Sequence, residues 1–103
     1  MYKLCFYVPD EQLESVKQAL FDAGVGRIGR YDSCCWQTQG TGQFRPLAGS
    51  DPHIGARGAL EKLQEWKVEM VCEDALIRTA VAVLKLAHPY EEVAYDIWRL
   101  EDI

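Results

Sequence analysis

Residues 63–72 alternate well, with Trp66, Val68, Met70 and Cys72 on one side and Glu65, Lys67, Glu69 and Val71 on the other. Successive side chains of a strand point to opposite faces, so this period of two predicts a strand with one packed face and one wet face. Such a strand needs strand neighbours and a layer over its apolar side. The following residues supply that layer. Ile77, Ala80, Val81, Leu84 and His88 share a stripe at helical spacing, after Glu73-Asp74 as a cap and before Pro89 as a stop. Residues 93–100 then read as a last strand, followed by an acidic tail.

The first half has the same plan. Residues 2–8 form a short strand, with Leu4, Phe6 and Val8 opposite Lys3, Cys5 and Tyr7. Asp10 is the expected N-cap of a helix, with Glu11 in its first turn. Leu13, Val16, Leu20 and Ala23 make the buried stripe, and Gly24 the stop. A glycine-rich turn over 24–29 enters a strand expected at 30–38. From 39 to 60 no periodicity survives, and a loop that long in a compact domain points to function, an interface or an extra hairpin.

The order strand, helix, strand, strand, helix, strand predicts an α+β fold. It is the ferredoxin-like βαββαβ arrangement, an antiparallel sheet with both helices on one face. The uncovered face would carry Cys5, Tyr7, Cys35 and Val71, apolar enough to mark a partner surface and self-association.

Length and charge narrow the function. At 103 residues, 49% hydrophobic and 26% charged, the chain reads as one globular domain spanning 1–103. No apolar run reaches the ~18 residues of a membrane span, and residues 1–9 are too short and too soon broken for a signal peptide. The expected location is the cytoplasm, with the four cysteines reduced. Cys34 and Cys35 are adjacent, and no zinc-type pair is present. A net charge of −5 argues against nucleic acid as a partner. Residues 26–58 nonetheless hold four Arg against two Asp, a local +2 where a small anion could bind.

Three motifs carry chemistry. In the first, 26–31, Arg27 and Arg30 stand beside glycines that either expose amides to an anion or serve a tight turn. In the second, 40–46, Gly40 and Gly42 flank Thr41, followed by Phe44 for stacking and Arg45 for charge. The same stretch also reads as a hairpin tip packing on a neighbouring subunit. The third, His88-Pro89-Tyr90-Glu91-Glu92, is the densest cluster. Either it is a helix terminus with a stop and an anchor, or His88 and Glu91 bind a divalent metal ion if His53, Cys34 or Cys35 folds nearby. Glu61, Glu65 and Glu69 read as a solvated strand face. No specific nucleophile signature is present, so the layout is that of a binding or regulatory module and not of an enzyme.

The same residues carry a family likeness. The 26–31 motif with Cys34 and Trp36, the 40–46 motif, Pro52 with Gly55, Glu65-x-Lys67-Val68-Glu69 and the stretch from His88 to Asp96 resemble the YqfO-type domain of the NIF-three family over nearly the whole chain. That resemblance implies a fold similar to PII signalling proteins and CutA, which are trimeric modules. CutA proteins, linked to divalent-cation tolerance, carry a similar His-Pro-Tyr-Glu stretch. It also implies that the metal centre of the larger relatives lies in a flanking domain. The leading expectation is a homo-oligomer, a trimer, with a small anion or divalent metal at a subunit cleft, or a protein partner to regulate. Arg27, Arg30, Thr41, Phe44, Arg45 and Tyr90 are its ligand or interface residues. Two alternatives are a metal-dependent hydrolase acting on a nucleotide and a ligand-free interaction adaptor.

Overall fold

The computed structural model describes all 103 residues. Its elements are β1 (Tyr2–Pro9), α1 (Leu13–Asp22), β2 (Trp36–Phe44), β3 (Glu61–Cys72), α2 (Ile77–Ala87) and β4 (Tyr95–Arg99), and a short 3-10 turn precedes each helix. The strands form one antiparallel sheet in the order β2-β3-β1-β4. Consecutive β2 and β3 are neighbours, while each helix carries the chain to a non-adjacent position. This is the predicted ferredoxin-like arrangement.

The alternation read from the sequence decides which face is packed. Leu4, Phe6 and Val8 of β1 and Val68, Met70 and Cys72 of β3 are buried with Leu13, Val16 and Leu20 of α1 and Ala80 and Leu84 of α2. Each fully buried Leu, Val or Phe contributes about 1.5–3 kcal/mol, so this layer is the main source of stability. The opposite face has no helix. Register places Trp36, Glu69, Cys5 and Asp96 in one row across it, and Val71, Lys3 and Trp98 in another. Trp36 is 69% and Trp98 47% exposed.

Several expectations need correction. The second strand begins six residues later than predicted, at Trp36, and runs through Gly40 and Gly42 to Phe44. The loop therefore covers only 45–60, and the 40–46 motif is mostly strand. Nothing apolar alternates in β2 because it is an edge strand, held by its ladder to β3 and by the Gln39 amide donating to Gln64 at 2.8 Å. Asp10 is not an N-cap, since its carboxylate accepts the Trp66 indole N–H at 2.8 Å. Asp74 caps nothing either; it pairs with the terminal ammonium and with Arg99. Cys35 precedes β2 and packs against the core instead of lying on the open face. The last strand is shorter than expected, Tyr95–Arg99.

Candidate functional site

The stop at Pro89 builds the site. A residue before proline is driven out of helical geometry, and His88 accordingly lies at φ −76°, ψ 139°. That extended step ends α2 and turns the imidazole inward, where it is 5% exposed. His88 Nε2 lies 2.6 Å from the Tyr7 carbonyl oxygen, and the Tyr90 backbone N–H donates to Nδ1 at 3.1 Å. Nδ1 therefore carries no proton and Nε2 does, so the ring is the neutral tautomer that donates to β1. Burial pushes the pKa of His88 below its ordinary value, which keeps it neutral.

Tyr90 is the next link. Its ring meets the His88 ring edge-on at 4.8 Å between centroids, and it stands 6.2 Å from both Phe44 and His53. The Tyr90 hydroxyl donates to Glu65 Oε2 at 2.9 Å. Burial first, and the Glu65 carboxylate second, push the phenol well above its ordinary range. The Glu65 carboxylate reaches Tyr90 across β2 at Gly42, where a Cβ atom would collide with it. The strand glycine thus marks a close approach by a neighbouring side chain. A further tether crosses the loop, since the Asp51 backbone N–H donates to both Glu91 oxygens, at 3.1 and 2.9 Å.

These residues bound an open cavity of about 530 Å³. Tyr7, Phe44, Arg45, His53, Glu65 and Tyr90 lie on its walls, with Pro46, Leu47, Pro52 and Ile54 supplying apolar surface. Glu65, Glu91 and Glu92 line it against a single arginine, Arg45, so the lining is acidic on balance. The volume suits a small organic molecule.

The predicted residues divide in two. Phe44, Arg45 and Tyr90 line the cavity, together with His53 and Glu91. Thr41 is exposed on β2 and is not part of the lining. Arg27 and Arg30 lie at the other end of the sheet, where the Gly26 N–H donates to Val71 O at 2.9 Å. The glycines there serve the turn: Gly26 has φ +77°, and a Cβ would stand 2.6 Å from the Cys34 carbonyl. Two of the amides offered for an anion, those of Gly26 and Ile28, already donate to backbone carbonyls. His88, Glu91 and His53 do not converge as a metal set. No group of three His, Cys, Asp or Glu side chains has that geometry, and His88 uses both ring nitrogens. Glu65, read from the sequence as part of a solvated strand face, and the Tyr7 carbonyl are the members that sequence reasoning missed, while Gly42 was picked out with the 40–46 motif but not for its contact with Glu65. The available signal for Glu65 was Gly42 itself, a glycine that leaves room for a neighbouring side chain.

The fold defines a class. CutA1 from Pyrococcus horikoshii superposes with a TM-score of 0.73 over 100% of this chain and 86% of its own, at 17% identity. That likeness shows the fold alone, a CutA/PII-like one. No family model matches. Sequence kinship comes from larger proteins. A Bacillus cereus protein related to NIF3 matches with a TM-score of 0.84 and 39% identity over 98% of this chain and 26% of its own. The "GTP cyclohydrolase 1 type 2 homolog" of Halalkalibacterium halodurans is 42% identical over 97% of this chain and 27% of its own length. The chain is homologous to the YqfO-type domain of the NIF3-related proteins, and it spans about a quarter of the length of the relatives it matches.

Proposed function

We propose that this domain is a small-molecule binding module that works as a homo-oligomer, a trimer by analogy with its fold class, with the Phe44–Tyr90 cavity opening at a subunit junction. The observation that carries this reading is the cavity itself. Flat rings from three separate segments, Phe44, His53 and Tyr90, surround a space with apolar walls and fixed carboxylates at Glu65 and Glu91. Such a site takes a flat, partly apolar molecule and orients it by hydrogen bonds. The helix-free sheet face, with Trp36 and Trp98 exposed, supports association with further copies.

No catalytic step is assigned. The cyclohydrolase in the relatives' name belongs to proteins of which this chain matches about a quarter. The hydrolase alternative asks His88 to ligate a metal, and its ring is already committed to Tyr7 and Tyr90. Nor does the geometry bring Cys34 or Cys35 into the cavity lining.

Thermal unfolding against a panel of nucleotides, nucleobases and divalent ions tests the reading. A compound that binds only the folded state at 100 times its Kd adds about 2.7 kcal/mol. The expected result is a rise in Tm with a flat organic compound, abolished by Phe44→Ala. A rise confined to divalent ions, or a rise unchanged in Phe44→Ala, would contradict it.

A further inference from the structure

The residues that the sequence grouped together separate in the fold into a tip and a cavity, and their chemistries are complementary. The tip is a miniature hairpin. Ile28 and Tyr31 exchange both backbone hydrogen bonds, each 2.9 Å, around Gly29-Arg30. Gly29 lies at φ +56°, the conformation that two-residue hairpin turns demand of their first central residue. The turn presents Arg27 and Arg30 to solvent beside Ile28, 55% exposed, and Tyr31, 75% exposed. Neither arginine has an ion-pair partner in its own chain. Arginine and tyrosine flanking an apolar side chain are the types that dominate binding energy at protein interfaces.

The cavity has the matching character. Glu65, Glu91 and Glu92 outweigh Arg45, and Phe44, Leu47 and Ile54 give apolar footing. Aromatic rings at Phe44 and Tyr90 also receive guanidinium groups favourably. Within one subunit the two cannot meet. The tip hangs off Val71 and the cavity off Glu65, which six residues of β3 at ~3.3 Å each put roughly 20 Å apart.

We infer that the Arg27–Arg30 tip of one subunit docks at the Glu91–Glu92 mouth of the Phe44–Tyr90 cavity of a second copy of this chain, so that the neighbour's arginines close each site over its ligand. The occupant is a second copy because the chain, at net −5, carries its matching cations on this tip, clear of its own cavity. The two surfaces differ and lie at opposite ends of the subunit, so the contact is head-to-tail, and the closed oligomer proposed above requires it to repeat around a ring. The inference rests on the oligomeric reading above and names the residues that join the subunits.

Sedimentation velocity on the full chain at micromolar concentration tests it, using Arg27→Glu combined with Arg30→Glu, then the same chain with Glu92→Lys added. The three positions are solvent-exposed and lack intrachain ion pairs, so the far-ultraviolet circular dichroism should stay at wild-type values, while Tm falls only as far as the lost association lowers it. The expected result is an assembled wild type, association weakened at least ~100-fold by the tip reversal, and recovery of at least ~10-fold when Glu92→Lys is added. A tip-reversed chain that still assembles like wild type would overturn the docking and leave the oligomeric module standing. Dissociation without recovery would overturn the cavity as the receiving surface. A monomeric wild type would overturn both readings together.

Discussion

The two ends of the sheet are held by different means. At the Val71 end the backbone does the holding: the Gly26 amide bonds to the strand, Cys34 bonds back to Gly26, and Ile28 and Tyr31 close a turn whose side chains have no intrachain ion pair. At the Glu65 end side chains hold one another, in a chain from the Tyr7 carbonyl through His88 and Tyr90 to Glu65, fitted against Gly42. A backbone-defined end can present its side chains outward at no cost to the fold. A side-chain-defined end encloses a cavity and loses shape when one member is removed. The first is the arrangement of a docking tip and the second that of a receptor.

The largest effect should come from His88→Ala. It leaves the Tyr7 carbonyl and the Tyr90 amide without their partner in a buried place, which costs about 2–4 kcal/mol in urea unfolding. The wild type should also lose stability as pH falls. The fold holds His88 neutral, whereas the unfolded chain takes up a proton near the ordinary value of 6.5. Below that pH the unfolded state binds more protons, so the stability present above it is lost progressively. His88→Ala should remove this pH dependence along with the stability, and a pH profile unchanged by the substitution would break the assignment.

Gly26→Ala comes next, and it probes the opposite end. A side chain there meets both a positive φ and the Cys34 carbonyl, for a loss of about 2 kcal/mol with the cavity left intact. Tyr90→Phe keeps the ring and removes one hydrogen bond, so about 1 kcal/mol is expected, together with weaker binding in the cavity. Gly42→Ala breaks the same hydrogen bond by displacing Glu65, so its effect on stability is about the same, ~1 kcal/mol. Its signature is spectroscopic: displacing the Glu65 carboxylate should let the Tyr90 phenol titrate closer to its ordinary value of 10.0 in an ultraviolet absorbance titration. A Tyr90 titration identical to wild type would mean that Glu65 does not depend on the glycine.

Most of the fold was legible because its packed face is written in alternation and helical stripes. Leu4, Phe6, Val8, Val68 and Met70 could be assigned to one side without any knowledge of their partners. The second strand was legible in its existence but not in its bounds. Trp36–Phe44 holds its place through backbone pairing, and Gly40 and Gly42 look like loop residues until Glu65 is seen across the sheet. Asp10 has the composition of a cap, yet the Trp66 indole, 56 positions away, claims its carboxylate. The site was half legible for a related reason. The His88–Glu92 cluster is contiguous, so its density shows in the sequence. Its partners Tyr7, Gly42 and Glu65 come from three strands, and only register brings them together. Arg27 and Arg30 were grouped with Phe44 and Arg45 because charge was counted along the chain, whereas the sheet separates them by its length.

Native mass spectrometry of the protein as purified, with no metal added, tests the central claim most directly. The account predicts a closed homo-oligomer, with any retained ligand appearing as extra mass once per subunit junction. A bare monomer would contradict it, because the cavity would then have no neighbour to complete it.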